Sequence, residues 1–169
     1  MDETTVTLDP PLRACWMKIG QQKRIPATRP GAKQKCHIFG GYNWLKDTIT
    51  WTTAKTKNSA TFISFLEELL VKQYPTSRVV LVMDNAAYHK SASALAALSL
   101  IEHRVMVCWL PPYCSELNPI ELFWRYLKDH ACANKLQDNI DEVVNSAVKL
   151  MIAQNCQSSE PKFHVSKNL

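Results

Sequence analysis

Two acidic residues stand where they could act together on one substrate. Asp84 directly follows the apolar run Val79–Met83, and Glu121 lies near the start of a helical pattern that begins after Asn118. In open α/β sheets, ligands bind beyond the carboxyl ends of the strands, which is where Asp84 is placed. Carboxylate oxygens are the ligands that Mg²⁺ prefers, and this ion keeps positions open for substrate phosphates. The pair therefore indicates a metal site for phosphate chemistry.

A third acid, Asp2, begins the β-branched segment that runs to Leu8. Successive side chains of a strand point to opposite faces, so Glu3 beside it is a competing candidate on the other face. We include Asp2 as a third ligand because a metal site built on Asp84 and Glu121 needs further oxygen atoms.

Each acid also has a purely structural explanation. Asp84 and Asn85 are residue types that favour turns and helix starts. Asn118 fits the N-cap of the following helix, which would make Glu121 the N3 residue of a capping box. A chain-terminal acid such as Asp2 is ordinarily solvated. The residue pattern leaves both explanations open for each of the three.

Three polar residues near these acids are predicted to support the carboxylates or to position substrate. They are Asn85, His89 and Asn118. His89 lies five residues after Asp84, where it could hold a phosphate or a water molecule at the mouth of the site. A histidine at a helix start is the alternative.

A cluster of basic residues lies in and beside a proline-containing loop, and backbone phosphates are its natural partner. The predicted DNA-binding residues are Lys18, Lys23, Arg24, Arg29, Lys33 and Lys35. The net charge of +5 suits a polyanionic partner without implying one. A solvated surface is the alternative.

The elements that must carry these residues follow from the apolar patterns. Strands are predicted at 4–8, 15–19, 35–43, 48–54, 78–83 and 105–110, and helices at 58–74, 91–102, 119–133 and 140–154. Antiparallel strands followed by alternating helix and strand indicate an α/β sheet with helices packed on it.

Composition indicates one globular domain with its own core. Of the 169 residues, 46% are hydrophobic and 21% charged, and we place the domain at 1–157 and a polar tail at 158–169. The six cysteines form no C-x-x-C pair, which argues against zinc. Without a signal peptide or a long apolar span, the chain is expected to be intracellular, with reduced thiols and no membrane partner.

Two segments resemble the catalytic core of DDE transposases, in the branch of the mariner superfamily and its bacterial insertion-sequence relatives. They are VMDNAAYHK, from Val82 to Lys90, and LPPYCSELNPIELFW, from Leu110 to Trp124. The resemblance implies a ribonuclease H-like fold with a central mixed five-stranded sheet flanked by helices. It implies that Asp2, Asp84 and Glu121 hold two Mg²⁺ ions, for which Mn²⁺ can substitute.

The same resemblance implies cleavage of phosphodiesters at transposon ends by water, followed by attack of the freed 3′-hydroxyl on target DNA. Two ions in such a site stabilise an in-line displacement without a covalent protein intermediate. The implied partners are double-stranded DNA, a second copy of the chain on that DNA, and a separate N-terminal helix-turn-helix segment. The implied location is the cytoplasm or nucleoid if the source is bacterial, and the nucleus if it is eukaryotic.

Three departures from the family pattern shape the expectation. No helix-turn-helix region precedes Asp2, the first strand looks truncated, and Cys114 stands where the family commonly has serine. We therefore expect a second reading frame, a fragment or a decayed copy. The alternatives are a structure-selective nuclease of the same fold and a catalytically silent DNA-binding or assembly remnant of a transposase.

Overall fold

A computed structural model describes residues 1–26, 34–112 and 114–156 of the chain. Two of the predicted DNA-binding residues, Arg29 and Lys33, lie outside the described residues, and so does the predicted tail at 158–169.

Five strands form in the described part of the chain. Strands β1 (Asp2–Thr7), β2 (Lys35–Asn43) and β3 (Thr48–Ala54) pair antiparallel in that order. Strands β4 (Val79–Met83) and β5 (Val105–Trp109) pair parallel, with a helix in the connection. The predicted hairpin at 35–43 and 48–54 is confirmed to the residue. It forms because two runs rich in β-branched and aromatic residues are separated by a short turn.

Four α-helices carry the rest of the described structure: α1 (Ser59–Glu68), α2 (Ala92–Leu100), α3 (Ile120–Leu127) and α4 (Ile140–Cys156). A π-helical turn extends α1 over Leu69–Gln73, and another extends α3 over Lys128–Cys132. Asn58 caps α1 with a capping box, and Ser91 caps α2. Among the described helices, none is both long and apolar enough to span a membrane.

The predicted strand at 15–19 is wrong. No strand forms between β1 and β2 in the described residues, and Trp16 and Ile19 are fully exposed. These apolar residues favour a strand by type, but no neighbouring strand pairs with them, so their backbone groups stay in solvent.

The predicted single five-stranded sheet is corrected to two hydrogen-bonded sheets, β1–β2–β3 and β4–β5. The Met1 amino group, directly before β1, donates a hydrogen bond of 2.7 Å to the carbonyl oxygen of Val82 in β4. In the described part of the chain, no ladder of hydrogen bonds joins the two sheets.

Helices cover both faces of the β1–β2–β3 sheet, whereas Val80 of β4 and Met106 of β5 are exposed. Strand β2 shows the alternation: Ile38 and Phe39 are both fully buried, but they enter different clusters on opposite faces. Phe39 packs with Phe62 and Phe65 of α1, together with residues of α2, β4 and β5. The Ile38 cluster instead contains residues of α3 and α4. The α/β class predicted from the element order is confirmed.

Helix α3 sits against the sheet at a glycine. A Cβ atom on Gly40 would lie 2.5 Å from the ring of Trp124, so only glycine allows this close approach. Trp124 is buried in the core, and Gly40 is the residue opposite Asp2 in β1. The contact between Gly40 and Trp124 therefore sets the distance between α3 and the part of the sheet that carries Asp2.

Candidate active site

The three predicted acids line one pocket. Asp2 comes from β1, Asp84 from the end of β4 and Glu121 from the first turn of α3, and the pocket holds about 300 Å³. The other lining residues are Asn85, Ala86, Leu110, Pro111, Pro112, Cys114 and Asn118. No lysine or arginine is among the described lining residues, so three carboxylates face one space without a cationic side chain.

Asp84 is fixed by the turn that follows β4. Its Oδ1 accepts a hydrogen bond of 3.1 Å from the backbone N–H of Ala86, and its side chain is 49% exposed. The Asn85 side-chain amide donates to the carbonyl oxygen of Leu110, which ties this turn to the segment after β5. Asp84 therefore forms the turn that was considered for it, and its carboxylate also lines the pocket.

Asp2 lies against the pocket wall with 8% of its surface exposed. The pKa of its carboxyl group is raised from 3.8 to about 7, mainly by burial and next by the nearby charge of Glu121. Asp84 contributes in the same direction, against a hydrogen bond from the backbone of Glu3 that lowers the pKa. Glu121 and Asp84 are thus close enough to Asp2 to disfavour its charged form.

Glu121 owes its position to packing and not to a capping box. Helix α3 has no side-chain cap, and Asn118 is buried with its amide donating to the carbonyl oxygen of Met1 at 3.2 Å. The N-cap role considered for Asn118 is wrong, because Pro119 occupies the N-cap and the buried Asn118 amide is satisfied by the Met1 carbonyl oxygen instead. Its bond joins the residue before Asp2 to the turn before Glu121, and so brings the two acids to one pocket.

Sequence reasoning missed a buried polar cluster formed by Glu3, His89, Tyr88 and Lys57. Glu3 points to the opposite face of β1 from Asp2, and its side chain is 1% exposed. Its Oε1 lies 3.0 Å from Nε2 of His89, its Oε2 accepts the hydroxyl hydrogen of Tyr88, and Lys57 Nζ lies 3.8 Å from Oε2. The alternation of β1 was a signal that Glu3 would enter the interior.

His89 is fully buried and does not line the pocket. Its Nδ1 lies 3.0 Å from Oδ1 of Asp84, so it reaches the site through that carboxylate. The predicted contact of His89 with a phosphate or a water molecule at the mouth of the site is therefore wrong. Burial lowers the pKa of His89, but the hydrogen bond and charge of Glu3 and the charge of Asp84 outweigh burial, and the net shift is upward.

The donor chemistry of the pocket suits a hard divalent cation, since it offers carboxylate oxygens that repel one another. Within residues 1–26, 34–112 and 114–156, no group of three His, Cys, Asp or Glu residues is already drawn together as a metal cage. The observation that supports the fit is the lining of one pocket by three carboxylates, with no lysine or arginine among its described lining residues. Burial and the nearby charge of Glu121 raise the pKa of Asp2, and a bound cation would favour its charged form.

The described basic residues lie away from the pocket. Lys18, Lys23, Arg24 and Lys35 are exposed, and none of them lines it. The segment that carries the first three is attached at its base by Arg13, whose guanidinium lies 2.6 Å from Asp129 and whose backbone N–H donates to Asn134 at 2.9 Å. Beyond this anchor the basic side chains are open to a partner.

Comparison with known families agrees with this geometry. Residues 1–144 match the family described as DDE superfamily endonuclease. The chain belongs to this family. The match spans all three pocket acids and the Glu3 cluster, and the predicted family is confirmed.

Relatives of this DDE endonuclease chain include the insertion element IS630 uncharacterized 39 kDa protein of Shigella sonnei. The two are 29% identical over 141 residues, which are 80% of this chain and 40% of that protein. A solved Mos1 transposase paired-end complex with left transposon end has a TM-score of 0.70 and 19% identity, covering 96% of this chain and 48% of that chain.

A Mos1 mariner paired-end complex with Mn has a TM-score of 0.66 and 18% identity, again covering 96% of this chain and 48% of that chain. These likenesses confirm the predicted ribonuclease H-like α/β fold. The chain spans less than half the length of the IS630 protein and of the Mos1 chains that it matches.

Proposed function

We propose that this chain is a transposase catalytic domain that cleaves DNA at transposon ends and transfers the freed strand to target DNA. The observation that carries the proposal is the meeting of Asp2, Asp84 and Glu121 in one pocket of a chain that belongs to the DDE endonuclease family. Three separate segments of the sequence deliver these acids, and no other described residue supplies a charge there.

Asp2, Asp84 and Glu121 are the residues that would hold Mg²⁺, or Mn²⁺ in its place. When bound, such ions supply stabilisation of the attacking and leaving oxygens in a phosphoryl transfer. What the chain itself supplies is orientation. Ala86 holds one oxygen of Asp84, and Asn118 holds the start of β1 against the start of α3.

The proposed substrate is double-stranded DNA. The exposed basic residues Lys18, Lys23, Arg24 and Lys35 supply cations for backbone phosphates outside the acidic pocket. Arg29 and Lys33 extend the same sequence cluster. In this proposal, the basic residues position the DNA through its phosphates, and the pocket acids act on a phosphodiester.

Two further partners belong to the proposal. A second copy of the chain is expected on DNA because joining two transposon ends requires two active sites. A separate helix-turn-helix segment is expected to supply recognition of the ends. The paired-end complex with left transposon end formed by the similar Mos1 transposase supports the expectation that this chain acts on paired DNA ends.

The experiment is nicking of supercoiled DNA in Mg²⁺ or Mn²⁺ by the chain, by Asp84→Ala and by Asp138→Ala. Asp138 is an exposed aspartate outside the pocket, so its variant is a matched control. We expect nicking by the chain and by the control, with a loss of about 100-fold or more in Asp84→Ala, since even partners of metal ligands contribute about 10–100-fold.

Folded protein that binds DNA but nicks it with neither ion would contradict the proposal. That result would favour a catalytically silent DNA-binding remnant. The absence of a preformed three-residue metal cage in the described residues is the observation that favours this alternative.

A further inference from the structure

We propose that Glu3 is a positioning residue for the reaction. It fixes His89, and His89 in turn holds the Asp84 carboxylate with one defined oxygen toward the pocket. This inference rests on the proposed function of the pocket, and it adds to that function a residue that does not itself line the site.

The first step is the fixing of Glu3 itself. Both of its carboxylate oxygens have partners: Oε1 lies 3.0 Å from Nε2 of His89, and Oε2 accepts the Tyr88 hydroxyl hydrogen. Lys57, whose side chain is 36% exposed, lies 3.8 Å from Oε2 and balances part of the charge. A buried carboxylate with partners on both oxygens has one orientation.

The second step is the fixing of the His89 ring. The ring is fully buried, with its centroid 4.5 Å from that of Phe62 and 4.4 Å from that of Tyr88. The aromatic contacts and the contact of Nε2 with Glu3 together hold the ring in one orientation. A histidine held in this way has little freedom to follow a moving carboxylate.

The third step is the contact with Asp84. His89 Nδ1 lies 3.0 Å from Asp84 Oδ1, a distance that fits an ion pair, but the angle does not fit a hydrogen bond. The same Oδ1 accepts a hydrogen bond from the backbone N–H of Ala86. In the described part of the chain, Asp84 Oδ2 has no hydrogen-bonding partner. One oxygen is therefore committed to the protein, and the other is left for a cation.

The cost of burying Glu3 supports a role beyond packing. Taking a carboxylate out of water is unfavourable, and an apolar residue of similar size serves packing alone at least as well. Here the buried carboxylate lies next to Asp2 in β1 and ends its chain of contacts at Asp84. Adjacent residues of one strand thus face Asp84 from two sides, Asp2 across the pocket and Glu3 through His89.

The test compares Glu3→Gln with Glu102→Gln in the full chain. Glu102 is exposed in the turn after α2, so its variant makes the same chemical change away from the cluster. Free Mn²⁺ is measured by electron paramagnetic resonance to obtain the Kd for the ion, circular dichroism establishes folding, and nicking is followed against Mn²⁺ concentration. We expect a Kd for Mn²⁺ about 10-fold or more above wild type in Glu3→Gln and an unchanged value in Glu102→Gln.

A residue that only stabilises the fold would change the melting temperature and leave the Kd for Mn²⁺ of the folded protein unchanged. Folded Glu3→Gln with wild-type Mn²⁺ affinity and wild-type nicking would overturn the inference and leave the proposed function intact. A wild-type chain that neither binds Mn²⁺ nor nicks DNA would remove the proposed function and the inference with it.

If Glu3→Gln does not fold, Tyr88→Phe serves as the second variant, because it removes only the hydroxyl that fixes Oε2 of Glu3. Mn²⁺ binding should then weaken several-fold in protein of native circular dichroism. An unchanged Kd in Tyr88→Phe would overturn the inference.

Discussion

Asp2 and Glu3 are neighbours in β1, yet they enter two very different surroundings. Asp2 faces a pocket with two further carboxylates, and neither Asp2 nor Glu121 has an ion-pair partner among the described residues. Glu3 faces a buried cluster where His89, Tyr88 and Lys57 compensate its charge. Charge that the protein compensates orients neighbouring groups, whereas charge that it leaves uncompensated attracts a cation from outside.

The largest effect should come from removing a carboxylate on the uncompensated side. Glu121 lies at the surface of α3 and caps no helix, so Glu121→Gln is expected to change the free energy of unfolding by less than about 0.5 kcal/mol. Metal-dependent nicking should fall by about 100-fold or more. Nicking and urea denaturation of one preparation provide the check; unfolding of the variant, with nicking per folded molecule retained, would contradict the catalytic role.

The pocket should also destabilise the metal-free protein at neutral pH. The pKa of Asp2 is raised from 3.8 to about 7, so the folded state binds this proton more tightly than the unfolded state. The resulting stability is present below about pH 4 and is lost as pH rises through 7. In EDTA, Asp2→Asn should match the wild type near pH 4 and exceed it at pH 8, by at most roughly 4 kcal/mol.

Urea denaturation at the two pH values measures this difference, and Mn²⁺ at pH 8 should reduce it by stabilising the wild type alone. Equal stability of the two proteins at pH 8 in EDTA would show that burial and the nearby charge of Glu121 do not raise the pKa of Asp2 in the folded state.

The packing of helix α3 against β2 should be sensitive to a methyl group added at Gly40. Gly40 pairs with Asp2, and a Cβ there would lie 2.5 Å from the Trp124 ring. Gly40→Ala should therefore cost about 1–3 kcal/mol by forcing α3 and the core to shift. Gly41→Ala is the matched control, because its Cβ would meet nothing closer than 3.6 Å. Thermal unfolding of both variants tests the difference, which equal destabilisation would contradict.

The smallest effect should come from residues outside both regions. Replacing exposed Lys23 and Arg24 by alanine should weaken binding to all DNA sequences alike, because phosphate contacts carry no sequence information. The slope of log K against log salt concentration should fall by about two, one for each cation. Binding titrations at several salt concentrations measure it; an unchanged slope would place the DNA elsewhere.

Local sequence determined most of the elements. The hairpin of β2 and β3 follows from β-branched and aromatic runs around a short turn, and the caps Asn58 and Ser91 act within three residues of their partners. The two motifs that contain Asp84 and Glu121 were enough to identify the family, because each is a continuous run of residues. Such features depend on neighbours in the chain, which the sequence states directly.

Only the tertiary structure decided which acid does what. Glu3 meets His89 across 86 residues, and Asn118 meets Met1 across 117. For Asn118 the sequence left open a helix cap or a supporting role, and for His89 a contact at the mouth of the site or a helix start. The structure shows neither the cap nor the contact at the mouth, because both side chains are buried and a buried polar group takes the partner that packing brings to it. That physical reason also separates Asp2 from Glu3, whose types and positions are nearly the same.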